Sequence, residues 1–397
     1  MTYNFDQPID RWGTNSAKWD FMPYLKPGAD EATLPMWIAD MDFPCPPPVV
    51  QAVHERADRQ IFGYSSYLSP RYFRAVCGWF QRRFGFYVNS RDIMMTRGVV
   101  DAVKTVILAL TRPGDGVVIQ RPVYYPFFHT INETGRKVAD SPLVNTDGYY
   151  TIDFDDLESK LADPANKLMV FCSPHNPVGR VWTREELTEL ADICLENNLL
   201  VVADEIHADL VYAPHVHTPY GTLDGKYMQR CIIGTAASKT FSLAGLCCAN
   251  AIIPNPDIRA RLEAQVNLDG CYTYSIFGME ALKAAYTQCD GWYAALLDYL
   301  WGNYRYFKSF MAEHFPKVPV ADLQGTYLVW FDCSSFGLEP QALERFMQDE
   351  AGLFLDEGYI FGQCGACFER INLACPRAVL EAALGRLLEA AQRRGIV

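Results

Sequence analysis

Apolar residues in the middle of this chain come in short unbroken runs, not in strict alternation. Ile93-Met94-Met95-Thr96, Gly116-Val117-Val118-Ile119-Gln120, Leu168-Met169-Val170-Phe171-Cys172, Leu199-Leu200-Val201-Val202-Ala203 and Cys231-Ile232-Ile233-Gly234 read as strands buried on both faces. Helical stretches lie between them. Arg97-Gly98 turns the first run into an apolar helix from Val99 to Leu110. Thr183-Arg184-Glu185-Glu186 is a capping box that opens a helix through about Asn197. The alternation predicts a mostly parallel sheet with helices on both faces. A proline cluster, Pro44 to Pro48, separates an irregular N-terminal arm from a helix beginning near Val49. After about Tyr293 the pattern becomes more helical, with one strand candidate at Thr326-Tyr327-Leu328-Val329-Trp330-Phe331, as expected of a second, smaller domain.

Composition narrows the partners. The formal net charge of −12 argues against nucleic acid or an anionic membrane surface. Met1 to Asp10 holds two acids and no apolar core, so no secretory signal is expected, and runs such as Thr105 to Leu110 are far too short to span a bilayer. The 13 scattered cysteines suit free thiols in a reducing cytoplasm. Cys364-Gly365-Ala366-Cys367 is a lone pair of thiols without a second pair, and His215-Val216-His217 has no carboxylate or cysteine at ligand spacing. Solvated loop histidines are the expectation there, and no metal is expected.

The strand ends carry the chemistry. In an open parallel sheet, ligands sit beyond the carboxyl ends of the strands. Three such ends deliver Asn176 (in Ser173-Pro174-His175-Asn176-Pro177), Asp204, and Lys239 (in Ser238-Lys239-Thr240-Phe241). A lysine after a buried strand is costly unless it has a partner or chemistry to do, and a desolvated amine forms a Schiff base with a carbonyl. Asp204 caps the next helix or holds a buried cation. Asn176 is a turn residue or an amide aimed at a ligand. Together they suit pyridoxal 5'-phosphate, with the lysine on the aldehyde and the aspartate on the pyridine nitrogen.

Six segments extend this reading: Pro35-Met36-Trp37-Ile38-Ala39-Asp40-Met41-Asp42-Phe43, Phe62-Gly63-Tyr64, Ser173 to Gly179, Asp204-Glu205-Ile206-His207, Ser238 to Phe241, and Arg370-Ile371-Asn372. With them, essentially the whole chain resembles the fold-type I pyridoxal-phosphate enzymes of the class I/II aminotransferase superfamily. It is most similar there to the cystathionine β-lyase-like C–S lyases. The resemblance implies an α/β fold with a large, mostly parallel sheet domain at 49–292. A smaller α+β domain would comprise 293–397 and part of the arm at 1–48.

The resemblance also implies roles. Asn176 bonds the cofactor's phenolic oxygen, and His207 stands where many relatives carry a tyrosine that touches the same oxygen, unless it is a structural histidine. Tyr124 stacks on the pyridine ring, with Tyr125 or a core role as the alternative. Gly98, Val99 and Val100 offer N–H groups to the phosphate at a helix start. Tyr64 reaches the phosphate of the neighbouring subunit and the substrate, making the sites shared within a homodimer. Arg370 takes the substrate α-carboxylate, beside Asn176. Many aminotransferases place a serine and an arginine on the phosphate where this chain has Ala236 and Cys247; Ser238, Thr235 and Tyr64 are the candidates to compensate. The implied reaction is α,β-elimination from a sulfur amino acid to pyruvate, ammonia and a thiol, with Lys239 as the base and Tyr124 protonating the sulfur. An aminotransferase on the same scaffold is the alternative, and a catalytically silent regulator acting through a protein partner is a third reading.

Overall fold

The computed structural model describes residues 3–397 apart from residues 27 and 272. The buried runs form one seven-stranded sheet: β1 (Ile93–Thr96), β2 (Gly116–Ile119), β3 (Lys137–Asp140), β4 (Asn166–Cys172), β5 (Leu200–Asp204), β6 (Cys231–Thr235) and β7 (Ala249–Ile252). Their spatial order is β1-β7-β6-β5-β4-β2-β3. Every neighbouring pair is parallel except those made by β7, which runs antiparallel to both β1 and β6. Period-two alternation divides the strands between two cores. Val117, Ile119, Leu168, Val170, Val202 and Ile232 pack on one face with Val103, Val106 and Ile107 of the helix Val99–Leu110. Val118, Met169, Phe171, Val201, Ala203 and Ile233 face the other way, toward Leu187, Leu190 and Ala191 of the helix Arg184–Glu196. That second helix begins with the expected capping box: the Thr183 side chain accepts from the Glu186 N–H, and the Glu186 side chain reaches back to the Thr183 N–H.

The N-terminal arm and the C-terminal elements add smaller sheets. The helix expected near Val49 starts two residues earlier, at Pro47, where proline's fixed φ and missing N–H are harmless. The later strand, β8 (Leu328–Asp332), begins two residues past the expected start, because Thr326 adopts a left-handed φ of 70° and cannot pair. Two more strands complete a small antiparallel sheet, β9 (Asp356–Glu357) and β10 (Phe368–Asn372), with β10 pairing to both β8 and β9. The two ends of the chain meet here. Leu34–Pro35 pairs in parallel with Leu353–Phe354, the Asn372 N–H donates to the Met36 carbonyl, and the Asp42 N–H donates to the Ala374 carbonyl. Among the described residues no helix is long and apolar enough to cross a membrane.

Candidate active site

The parallel register aligns the ends of β4, β5 and β6, so the segments leaving these strands meet at one edge. Asp204 is the last residue of β5, Ser173 to Pro177 come directly after β4, and Lys239 lies in the turn after β6. β1 points the same way, and Gly98 there opens the helix Val99–Leu110. Gly234 in β6 lets that helix come close: a Cβ at this position would sit 2.6 Å from Val99 Cγ1. The result is a cavity of about 170 Å³ whose wall includes Gly98, Val99, Val100, Tyr124, Asn176, Asp204, His207, Ser238 and Lys239. Of the expected site residues, Tyr64 and Arg370 are outside this wall, and so is Thr235, one of the candidates to compensate at the phosphate. Tyr64 is 96% exposed.

Burial sets the electrostatics. It pushes the Asp204 carboxyl up to about 7, against the Ile206 N–H that donates to Asp204 Oδ1 (3.0 Å) and the attraction of Lys239. Burial pulls the Lys239 amine down to about 8, opposed by the negative charge of Asp40. Its Nζ donates to the Ala39 carbonyl at 2.7 Å. Burial, with the positive fields of Lys239 and Arg370, lowers His207 to about 3; the ring is neutral and its Nδ1 has no partner among the described residues. Desolvation raises the Tyr124 hydroxyl far above its ordinary value, so it keeps its proton.

Arg370 sits behind the wall, 1% exposed on β10. Its Nη1 donates to Asn176 Oδ1 at 3.0 Å, its Nη2 donates to the Trp37 carbonyl at 2.9 Å, and Nη2 also pairs with Asp356 on β9. Its Nε has no partner among the described residues. An arginine only donates, so the Asn176 oxygen must face it and the amide N–H₂ is left for the cavity.

Residues 35–387 match the family model for aminotransferase class I and II. The chain is 40% identical to the cystathionine β-lyase PatB of Bacillus subtilis, over 97% of this chain and 98% of that protein. The chain belongs to the class I and II aminotransferase family. Its fold is that of cystalysin from Treponema denticola, a structure that contains a pyridoxal 5'-phosphate cofactor: TM-score 0.97, 38% identity, with 99% of this chain and 100% of that one covered. The pyridoxal-phosphate-bound C–S lyase from Staphylococcus hominis superposes with a TM-score of 0.91 at 31% identity, over 98% of both chains. This is the fold-type I architecture.

Three features of this family member are not evident from its sequence. Arg97 lines the cavity beside Gly98, ion-paired to Asp101 at 2.6 Å. In sequence it reads as a turn residue, and its place just before a helix start is the one signal that marks it. Asp356 reaches Arg370 only through β-pairing, which spacing does not reveal. The third is a correction. His217 is not a solvated loop residue: it is buried, with Nε2 3.3 Å from Glu205 Oε2. Glu205 is carried inward by β5, and its Oε1 also accepts from the Tyr220 N–H at 2.6 Å, so the loop folds back over a buried carboxylate. Of the same trio, His215 is half-buried and Val216 exposed.

Proposed function

We propose that this chain is a pyridoxal-phosphate-dependent C–S β-lyase that converts a sulfur amino acid to pyruvate, ammonia and a thiol. The observation that carries it is the full-length likeness to cystathionine β-lyase and C–S lyases in a chain whose strand ends gather Lys239, Asp204 and Asn176 around one cavity. The cavity suits the cofactor on its own chemistry. A buried carboxyl pushed up to about 7 for want of a full cationic partner fits a protonated pyridine nitrogen. The spare Asn176 amide fits a phenolic oxygen. The first N–H groups of the helix Val99–Leu110 fit a phosphate, and Arg97 adds a charge beside them.

When bound, the cofactor supplies an electrophilic aldehyde and an electron sink. The chain's own residues do the rest. The Lys239 amine, drawn by burial down to about 8, gives up its proton more readily than an ordinary lysine; it would anchor the aldehyde and, once freed, take the Cα proton on Nζ. Asp204 would hold the ring nitrogen in its protonated form. The electrons released at Cα would then expel the β-sulfur with its bonding pair, and in this reading Tyr124, which lines the cavity and keeps its hydroxyl proton, is the donor to the departing sulfur. The unpartnered Arg370 Nε and the fork that holds Asn176 support a substrate carboxylate at that end.

We also propose a division into a large domain at 49–292 and a small one from 293–397 with part of 1–48, supported by the strand pairing between the chain ends. A homodimer with shared sites is supported by a contiguous exposed apolar segment: Ile61 (70%), Phe62 (62%), Tyr64 (96%) and Leu68 (70%). In this reading Tyr64 serves the opposite subunit. Free thiols support a cytoplasmic setting. The test is incubation of the holoenzyme with cystathionine, with and without a keto-acid acceptor. Pyruvate and free thiol in equal amounts, independent of acceptor, are expected. A new amino acid formed only with the acceptor would make it a transaminase instead.

A further inference from the structure

The ladder between β5 and β6 ends just before the residues that carry the site. Its last contacts are those of Asp204 and Glu205 with Gly234. His207 and Lys239 both lie past that point, in turns. One buried carboxylate joins the two turns. Asp209, two residues after His207, accepts the Thr240 hydroxyl on Oδ2 at 2.8 Å, and Thr240 follows Lys239 directly. Its Oδ1 accepts Trp79 Nε1 at 3.0 Å, from the helix Pro70–Phe84. Its backbone carbonyl accepts the Tyr293 hydroxyl at 2.5 Å, from the helix Asp290–His314. Trp79 is itself fixed, stacked on Tyr286 with ring centres 4.8 Å apart. Arg83 donates to the Tyr293 hydroxyl and lies 4.4 Å over that ring. Burial raises the Asp209 carboxyl, opposed by the Thr240 hydroxyl, the charge of Arg83 and the Trp79 N–H. All three donors to Asp209 thus come from elements outside its own turn.

We infer that Asp209 is a positioning residue for Lys239: through Thr240 it fixes the turn, and so the point from which the amine reaches the cofactor aldehyde. The inference rests on Lys239 as the cofactor's anchor and goes beyond it. Among the described residues, two side-chain hydrogen bonds leave the segment from Ser238 to Phe241. Lys239 Nζ donates to the Ala39 carbonyl at 2.7 Å, and Thr240 donates to Asp209. The first uses the reacting nitrogen itself. The second does not, so it holds through every change at Nζ. The Phe241 N–H donates to the Ala237 carbonyl at 3.0 Å, which sets the shape of the turn but not its place. Threonine is stiff at χ1, so a held hydroxyl holds its Cα, and the Lys239 Cα is one planar peptide away. A misplacement of about 1 Å can cost roughly a hundredfold where two groups must meet in a set geometry.

The test compares two ligands on the full chain stripped of cofactor: pyridoxal 5'-phosphate, and 4'-deoxypyridoxine 5'-phosphate, which carries a methyl group in place of the aldehyde. The ratio of their dissociation constants measures what the bond to Lys239 adds. Thr240→Val keeps the shape of the side chain and removes its hydroxyl. It should cut that ratio by about tenfold or more while the aldehyde-free ligand binds as to the wild type. Thr240→Ser, which keeps a hydroxyl, should restore most of the ratio. Asp209→Ala should lose as much as Thr240→Val, and the double variant no more than either, because the two side chains act as one contact. If Asp209→Ala does not fold, Thr240→Val decides alone. An unchanged ratio, or equal weakening of both ligands, overturns the inference. Borohydride reduction of the wild type checks the anchor separately. An adduct on another lysine strikes the anchor and the inference together; an adduct on Lys239 with an unchanged Thr240→Val ratio strikes the inference alone.

Discussion

Asp204 is held in the fold at a cost when no cation faces it. Its carboxyl titrates near 3.8 in an unfolded chain and about 7 in the folded one. The folded state therefore binds the proton more tightly. The contribution to stability is full below about 4 and is lost as pH rises through about 7. Cofactor-free protein should lose unfolding free energy across that window. Asp204→Asn should flatten the loss, and at pH 8 the cofactor-free variant should be the more stable protein, by at most about 4 kcal/mol. The same variant should hold the cofactor poorly and turn over slowly. Denaturant titration at several pH values checks the first statement, and cofactor retention checks the second. Arg97 makes a different prediction. If it adds charge to the phosphate end, Arg97→Met should weaken pyridoxal phosphate by roughly 1.5–3 kcal/mol, the span for hydrogen bonds to charged groups. Pyridoxal, which has no phosphate, should bind as before. Equal losses for both would place Arg97 in the architecture alone.

At the scale of elements, the contact between β6 and the helix Val99–Leu110 decides where the phosphate end sits. Gly234→Ala would drive a methyl to 2.6 Å from Val99 Cγ1, and valine's stiff χ1 leaves little room to yield. The variant should lose about 1–3 kcal/mol, the usual cost of overpacking. Val99→Ala added to it should restore most of the loss in thermal unfolding. The elements legible in the sequence share a trait: their signals are local. The strand ends carrying Asn176, Asp204 and Lys239, the glycine before Val99, and the capping box at Thr183 all announce themselves within a few residues. The features hidden from the sequence are set by tertiary contact. Ala249-Asn250-Ala251-Ile252 has weak strand propensity and becomes the antiparallel strand of the large sheet because it is gripped on both sides; the Tyr72 hydroxyl also donates to Asn250 Oδ1 at 2.7 Å. Thr326 and His217 depart from expectation for the same reason: nothing near them in sequence reports the left-handed turn or the buried Glu205.

At the scale of the whole molecule, Tyr64 is the question. It is 96% exposed, on an apolar segment, and outside its own chain's cavity. If sites are shared, a Tyr64→Ala variant and a Lys239→Ala variant, each nearly inactive, should regain activity when mixed. One site in each hybrid dimer carries both lesions and its mate carries neither. Hybrids shown to form without regaining activity would return Tyr64 to its own surface.

The meeting of the chain ends has a bearing on how the protein is made. Met36, Trp37 and Met41 are buried, but the partners of their segment lie at Phe354, Asn372 and Ala374, more than three hundred residues later. Arg370, the Asn176 amide it orients, and the Asp40 loop that Asn372 pins all wait on that late segment. On the ribosome, the large sheet can form while the arm is still without its dock. The growing polypeptide therefore carries a greasy arm whose backbone partners come last, and the surroundings of Lys239 are completed only when the last strand emerges.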